Sequence, residues 1–467
     1  MPTLLTLPRE IIHRIFYSAT QTSCKQLRLA SRLTGEIGRK WVFESARIAP
    51  LKSSCRKFQS ILDSPELAAS ITKVYIDTVR PRDDRRIREK RDEDELEDED
   101  EKIAGDDNLP RSFWNLVNRL NELPRLQSVI LCFHHDCNGE ENDWNWVTQT
   151  IDFRHSVLRK TFSILANLPR LPTELGIQDL QNINPTDPET IRNIQKVLRG
   201  LKSLRLNIAN ECNEQNGEED IEKKALFTFF PTLGATWLQP AAANLEHLTV
   251  YSQCYFGFFP PCDLTDVHFP RLKTLALGNY TFMDDSQLDW ITSHGSTLQE
   301  LYLDDCPIMY EVTVQPEDTG RTFLVKDRYK THPRMHTDLY ASYDKRWADY
   351  FRDFDEKLPH LTHFRFGHGT TWHDSSPFEG ETDIVIGFYE HYMTYCEGYG
   401  PSQYMPSLIW DVEDETEDSA MVEYRSRVAP SAEDIAALQH LLKRTGQSVS
   451  LDENGHNQEG PRPHGYW

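Results

Sequence analysis

The sequence contains no run of eighteen apolar residues, so no membrane-spanning helix is expected from it. Pro8, Arg9, Glu10 and His13 interrupt any apolar stretch that a secretory signal would need, and none is expected. Its nine cysteines are odd in number, scattered, and never spaced Cys-x-x-Cys. That usage argues against a disulfide framework and for the reduced thiols of the cytosol or nucleus. Positive charge is in deficit: 51 Lys and Arg stand against 73 Asp and Glu, a formal net charge of -22. Such a field repels phosphate backbones and makes nucleic acid an unfitting partner. Nothing in the chain points to a membrane.

Signatures of catalysis are missing as well. No phosphate-binding loop, dinucleotide glycine fingerprint, Gly-x-Ser-x-Gly elbow or His-Glu-x-x-His pair occurs. No nucleophile stands beside a base at a recognisable spacing, so the chain is not expected to be an enzyme and no cofactor is implied. Cys132, His134, His135 and Cys137 offer four soft or borderline metal ligands within six residues. Their spacing fits no familiar zinc knuckle, and the stretch reads as a strand end running into a polar loop. His360, His363, His368 and His373 point different ways along a strand or lie in a loop, so no metal is expected there. Asp284 and Asp285 suit caps of a following helix better than an acid/base couple.

What is present is enough apolar mass for a core, 38% hydrophobic and 11% aromatic over 467 residues. That length suits two to four ordinary domains, or one domain with an extended array. Residues 1–48 read as a helical cluster. Pro8 is expected at the first helical position, with Glu10 at the third and Ile11, Ile12, Ile15 and Phe16 as the apolar stripe. Ser18 to Ser23 reads as a polar break, followed by a second periodic run through Leu27, Leu29, Ala30, Leu33 and Ile37. Residues 49–79 read as a linking helix and a first strand. Residues 80–108 pass from a basic run to DEDELEDEDE, with no apolar face, and are expected to be a disordered insertion.

Between residues 67 and 366 one pattern returns: apolar, two others, apolar, one other, apolar. It occurs at Ile71-x-x-Val74-x-Ile76, Leu126-x-x-Val129-x-Leu131, Leu201-x-x-Leu204-x-Leu206 and Leu245-x-x-Leu248-x-Val250. Leu272-x-x-Leu275-x-Leu277, Leu298-x-x-Leu301-x-Leu303 and Leu361-x-x-Phe364-x-Phe366 continue it. The starts at 245, 272 and 298 give periods of 27 and 26, inside the leucine-rich-repeat range. Helix signals lie between the strands: Asp187-Pro188 before Ile191, Ile194, Val197 and Leu198, and Leu288, Trp290 and Ile291 before His294-Gly295. Helix, glycine, then short strand is the unit of a solenoid, in which each unit buries its apolar faces only against its neighbours. The fold class expected is therefore α/β: a short N-terminal three-helix segment, then an irregular leucine-rich-repeat solenoid of parallel strands covered by helices over 109–366. Residues 367–446 are expected to cap the array, with a helix starting at Ser431 and stopping at Gly446, and 447–467 to be a disordered tail.

Strand alternation points the residues between the leucines to the exposed concave face. Tyr75, Arg205, His247, Tyr251, Glu300, Tyr302 and Arg365 are the candidate contacts for a protein target there, because tyrosine and arginine are favoured interface anchors. The first segment carries a resemblance. Leu7-Pro8-Arg9-Glu10-Ile11-Ile12-His13-Arg14-Ile15-Phe16, then Leu27-Arg28-Leu29-Ala30-Ser31-Arg32-Leu33 and Trp41-Val42-Phe43, resembles an F-box, departing at Ala30, where valine is usual. With the repeats behind it, the chain is similar to fungal F-box proteins with irregular leucine-rich repeats. That resemblance implies a substrate receptor of a cullin–RING ubiquitin ligase. It implies docking on a Skp-type linker through Leu7, Pro8, Ile11, Ile15, Leu27, Leu29 and Leu33, with the cullin reached through the linker and the target protein held by the repeats. The alternative is a non-catalytic repeat scaffold acting outside a ubiquitin ligase. Either role places the chain in the cytoplasm, the nucleus or both.

Overall fold

The computed structural model describes residues 7–19, 21–79, 109–135, 137–138, 149–210, 224–258, 260–314, 330–331, 339–369, 380–389, 391–396 and 429–458. The chain divides into two compact units, residues 1–134 with 141–177, and residues 135–140 with 178–467. Both follow one architecture, parallel strands covered by helices, so the fold is α/β and compatible with a leucine-rich-repeat solenoid.

The first unit opens with three helices: α1 (Arg9–Ser18), α2 (Gln21–Arg28) and α3 (Arg32–Val42). Pro8 stands one position earlier than the sequence suggests. Its ψ of 147° is extended, so it precedes α1 as the cap residue, and its carbonyl accepts the amides of Ile11 and Ile12. The break expected at Ser18–Ser23 is present between α1 and α2 but shorter, because α1 runs to Ser18 and α2 already begins at Gln21. A further break falls at Leu29–Ser31, inside the run that reads as one helix. There the Ser31 hydroxyl accepts the Thr34 amide at 3.1 Å, and the Thr34 hydroxyl accepts the Ser31 amide at 2.9 Å. This reciprocal cap satisfies donors that a helix start leaves open, and so begins α3 anew.

The strands of this unit are β1 (Ser45–Ile48), β2 (Lys73–Asp77) and β3 (Ser128–Cys132), paired in parallel with Ser45 opposite Lys73 and Lys73 opposite Ser128. Helices α4 (Lys52–Leu62), α5 (Arg111–Val117) and α6 (Ile151–Ala166) alternate with them. Strand β4 (Glu174–Gln181) follows, and the division between the units falls within it.

A recurrent backbone link marks each repeat. The amides of Thr72 and Lys73 both donate to the carbonyl of Glu44; those of Gln127 and Ser128 donate to Thr72, and those of Thr173 and Glu174 to Gln127. The acceptor always lies one residue after the first apolar position of the pattern. Two repeats without a leucine signal are thereby revealed. Phe43-x-x-Ala46-x-Ile48 precedes Ile71 as the first, and Pro172-x-x-Leu175-x-Ile177 stands before Leu201. Phenylalanine and proline fill the place of the first leucine, which hid both from a leucine-based search.

The second unit carries α7 (Pro188–Leu198), β5 (Ser203–Ala209), α8 (Lys224–Leu233), β6 (His247–Phe256) and β7 (Thr274–Tyr280). It continues with α9 (Asp285–Thr292), β8 (Glu300–Asp304), β9 (Ile308–Val314), β10 (Leu339–Ser342), α10 (Trp347–Lys357) and β11 (His363–His368). Asp187 and Asp284 cap α7 and α9, the latter reciprocally with Gln287. Strands β5, β6, β7, β8 and β11 are parallel neighbours in that order. The register aligns Leu204, Leu248, Leu275, Leu301 and Phe364 in one buried column and Leu206, Val250, Leu277, Leu303 and Phe366 in the next. The same double link recurs: Glu246 and His247 donate to Lys202, Lys273 and Thr274 to Glu246, Gln299 and Glu300 to Lys273, and Thr362 and His363 to Gln299.

Beyond β11 the chain adds β12 (Val385–Ile386), antiparallel to β11, and β13 (Tyr392–Cys396), which joins β9 and β10 in a small second sheet. Helix α11 (Ala432–Arg444) packs on α10, where Asp434 accepts the Ala348 amide at 2.8 Å and the Tyr392 hydroxyl at 3.0 Å. The stretch 447–458, read from sequence as part of a tail, is built into the fold. Gln447 accepts the Phe364 amide at 2.9 Å, and Leu451 bridges Asn457 while Gly387 bridges His456. Residues 80–108 and 459–467 lie outside the described residues.

Candidate functional site

Three lateral rows of side chains cross the sheet face opposite the leucine columns. The first holds Ser203, His247, Thr274, Glu300 and His363; the second holds Arg205, Thr249, Ala276, Tyr302 and Arg365. The third holds Asn207, Tyr251, Gly278, Asp304 and Gly367. Alternation along each strand puts them there, as the sequence indicates. Five of the seven candidate contacts, Arg205, His247, Glu300, Tyr302 and Arg365, therefore sit in two adjacent rows. Tyr251 sits in the third, and Tyr75 belongs to β2 of the other unit.

Of these candidates Tyr251 and Tyr302 are buried rather than open to solvent, and Tyr75, Arg205, His247, Glu300 and Arg365 are half-buried. Residues 380–386 lie over the second row. The Glu381 carboxylate is about 95% buried, and its Oε1 accepts from Arg205 Nε at 2.8 Å and from the Thr249 hydroxyl at 2.7 Å. His247 Nε2 is 3.2 Å from the same oxygen. Burial alone would push this carboxyl up. The His247 hydrogen bond, the Arg205 charge and the Thr249 hydroxyl outweigh it and hold Glu381 well below the ordinary carboxylate range. Three residues on, Ile384 packs against Ala276 and Tyr302, and its carbonyl accepts from Arg365 Nη1 at 2.8 Å. Tyr302 is left 4% exposed. Its hydroxyl is pushed up by burial and by the Glu300 and Glu381 charges.

Tyr251 is buried for a different reason. Its register partner on β7 is Gly278, and a Cβ there would lie 1.9 Å from the tyrosine ring. The ring occupies the space the glycine leaves. Gly367 is constrained similarly: a Cβ would meet the Val385 carbonyl oxygen at 1.9 Å, so only glycine lets β12 approach β11.

Glu381 and Ile384 carried no motif and were not singled out from the sequence. The available signal was the β-branched run Ile384-Val385-Ile386 between Gly380 and Gly387. A donor set for a divalent cation also occurs at the ends of β8 and β11: one ligand atom each from Asp304, Asp305 and His368 lies within 4.8 Å of the others. There Asp304 accepts the Gly369 amide at 2.6 Å, and His368 Nδ1 is 2.6 Å from Asp305 Oδ2. Cys132, by contrast, is buried in β3, where the sequence places a strand end.

The N-terminal helices sort the remaining candidates. Ile12, Phe16, Cys24, Ile37 and Val42 form their core, with Leu7, Leu27 and Leu33 partly buried around it. Pro8 is exposed, Ile15 is half-buried, and Ile11 and Leu29 are 40% and 78% exposed. Tyr17, not among the candidates, is 76% exposed. Spacings of three and four set Pro8, Ile11 and Ile15 along one side of α1.

No family model and no curated protein matches this chain. Among solved structures it is similar to the yeast Rad7 and Elc1 complex, at 10% identity and a TM-score of 0.29, over 77% of this chain and 81% of that one. A likeness at that level decides neither fold nor partner.

Proposed function

We propose that the chain is a protein-recognition subunit of an SCF-type ubiquitin ligase, with α1–α3 docking a Skp-type linker and the sheet face of the repeats receiving a target protein. The reading rests on the F-box resemblance of residues 4–48. One observation carries it: Ile11 and Leu29 are large apolar side chains left in solvent while Ile12 and Phe16 close the helical core. Exposed apolar side chains mark contact surfaces when grouped, and the F-box resemblance assigns these two to one docking set. The chain would contribute binding and no chemistry of its own. No helix among the described residues is long and apolar enough to cross a membrane, and the reading places the protein in the cytoplasm or nucleus.

Co-purification tests it. The full chain should capture a Skp-type protein together with a cullin, and Ile11→Asp with Leu29→Asp should lose both while remaining folded. Equal capture by that double variant would overturn the reading. Capture of the linker without a cullin would instead favour the scaffold role.

A further inference from the structure

The proposed target-binding face is already filled by a segment of the chain itself, and the manner of filling is that of a ligand. Strands β5, β6, β7 and β8 form a continuous parallel ladder with β11, so the backbone groups between them are paired without residues 381–384. Residues 381–384 are held to these strands by side chains and one carbonyl, before the chain runs into β12, which pairs with β11. The anchors are a carboxylate on Arg205, Thr249 and His247, an aliphatic side chain on Ala276 and Tyr302, and a main-chain oxygen on Arg365. All of these contacts except His247, which stands in the adjacent row, follow a single register row across five strands. In a chain of net charge -22 the second row carries Arg205 and Arg365 and no acidic residue, and Arg205 meets the carboxylate of the segment.

We infer that the row Arg205–Thr249–Ala276–Tyr302–Arg365 is a receptor for a peptide bearing a glutamate and, three residues later, an isoleucine, and that residues 381–384 occupy it as an internal ligand. This rests on the target-binding reading and gives the target a chemistry: an acidic-aliphatic segment that, like Glu381–Asp383, makes one short helical turn. A partner segment of that kind binds by displacing Glu381 and Ile384. The internal copy sets a threshold, because an intramolecular ligand at high effective concentration excludes weak competitors. Specificity comes from both ends. A partner lacking the carboxylate leaves Arg205 and the Thr249 hydroxyl without their buried acceptor, and one lacking the aliphatic group leaves Tyr302 uncovered.

The test uses the full chain alone, without linker or cullin, and a fluorescent peptide copying residues 378–388. The double variant Glu381→Ala/Ile384→Ala should bind this peptide at least tenfold more tightly than the wild type by fluorescence anisotropy. Adding Arg205→Ala should remove at least tenfold of that affinity, as should replacing the peptide's glutamate by glutamine. In the wild type, excess peptide should speed amide hydrogen exchange in residues 381–384. The inference is overturned if the folded double variant does not bind the peptide, or binds equally well with Arg205→Ala. Global unfolding of the double variant would also overturn it, because the segment would then be part of the fold. Loss of linker capture by the α1 variants leaves all these outcomes unchanged, so failure of the docking reading and failure of this one are distinguishable.

Discussion

Arg205 donates from Nε to Glu381 Oε1 at 2.8 Å across 176 positions of chain. The arginine lies on a repeat strand and the glutamate in a stretch with no repeat signal, yet the pair defines the occupied part of the sheet face. With the carboxylate buried and its partners fixed by register, the interaction belongs to the class in which removing one member is costly.

Glu381→Gln should therefore lower stability by about 1–3 kcal/mol, because the acceptor geometry survives while the charge is lost. It should also change the acid response. The folded Glu381 carboxyl is held below its unfolded value, so its stabilisation is full above pH of about 4.3 and is lost as pH falls below that. Denaturant melts between pH 6 and 3 should show a shallower acid loss in the variant than in the wild type.

His294 makes a second, separate pH contribution. It is 1% exposed, stacked on His268 at 4.7 Å between ring centroids, with Nδ1 2.9 Å from the Trp290 carbonyl and Nε2 accepting the Phe269 amide. Burial, and then the neighbouring His268, lower it to about 4. Between pH of about 6.5 and 4 the unfolded chain takes up a proton that the folded one refuses, so stability falls as pH drops through that window, by up to about 3 kcal/mol. His294→Gln should be less stable at pH 7 and flatter across the window, as measured by urea melts at half-unit intervals.

Leu204→Ala and Leu301→Ala should each cost about 2–5 kcal/mol, since both leucines are fully buried in the columns that join successive repeats. Chemical denaturation should show a lower midpoint at both. Near-neutral effects at the two sites would contradict a core built from these columns.

Gly278→Ala should destabilise by more than about 1 kcal/mol, because the added methyl meets the Tyr251 ring at 1.9 Å. Pairing it with Tyr251→Ala should recover part of the loss, since the clash then disappears. A double-mutant cycle in thermal melts reads this coupling directly.

On the N-terminal helices the contrast is between neighbours. Ile12→Ala should cost about 2–4 kcal/mol, while Ile11→Ala should leave stability within about 0.5 kcal/mol. The two variants are distinguished by their melting temperatures before any partner is added.

Much of this was legible along the chain. The apolar spacing of two and three set the strands, their leucine columns and the row to which Arg205, Tyr302 and Arg365 belong, because alternation is a local property of extended backbone. Asp187, Asp284 and Ser431 announced their helices by the same local chemistry. The repeats at Phe43 and Pro172 were hidden only because a different residue filled the first apolar place. Three matters were decided by tertiary structure alone: which isoleucine of Ile11 and Ile12 turns inward, why the Tyr251 ring fits beside Gly278, and which acid reaches Arg205. Each depends on what packs against a residue from a distant part of the chain. Periodicity states which way a side chain points, but leaves open what will be waiting there.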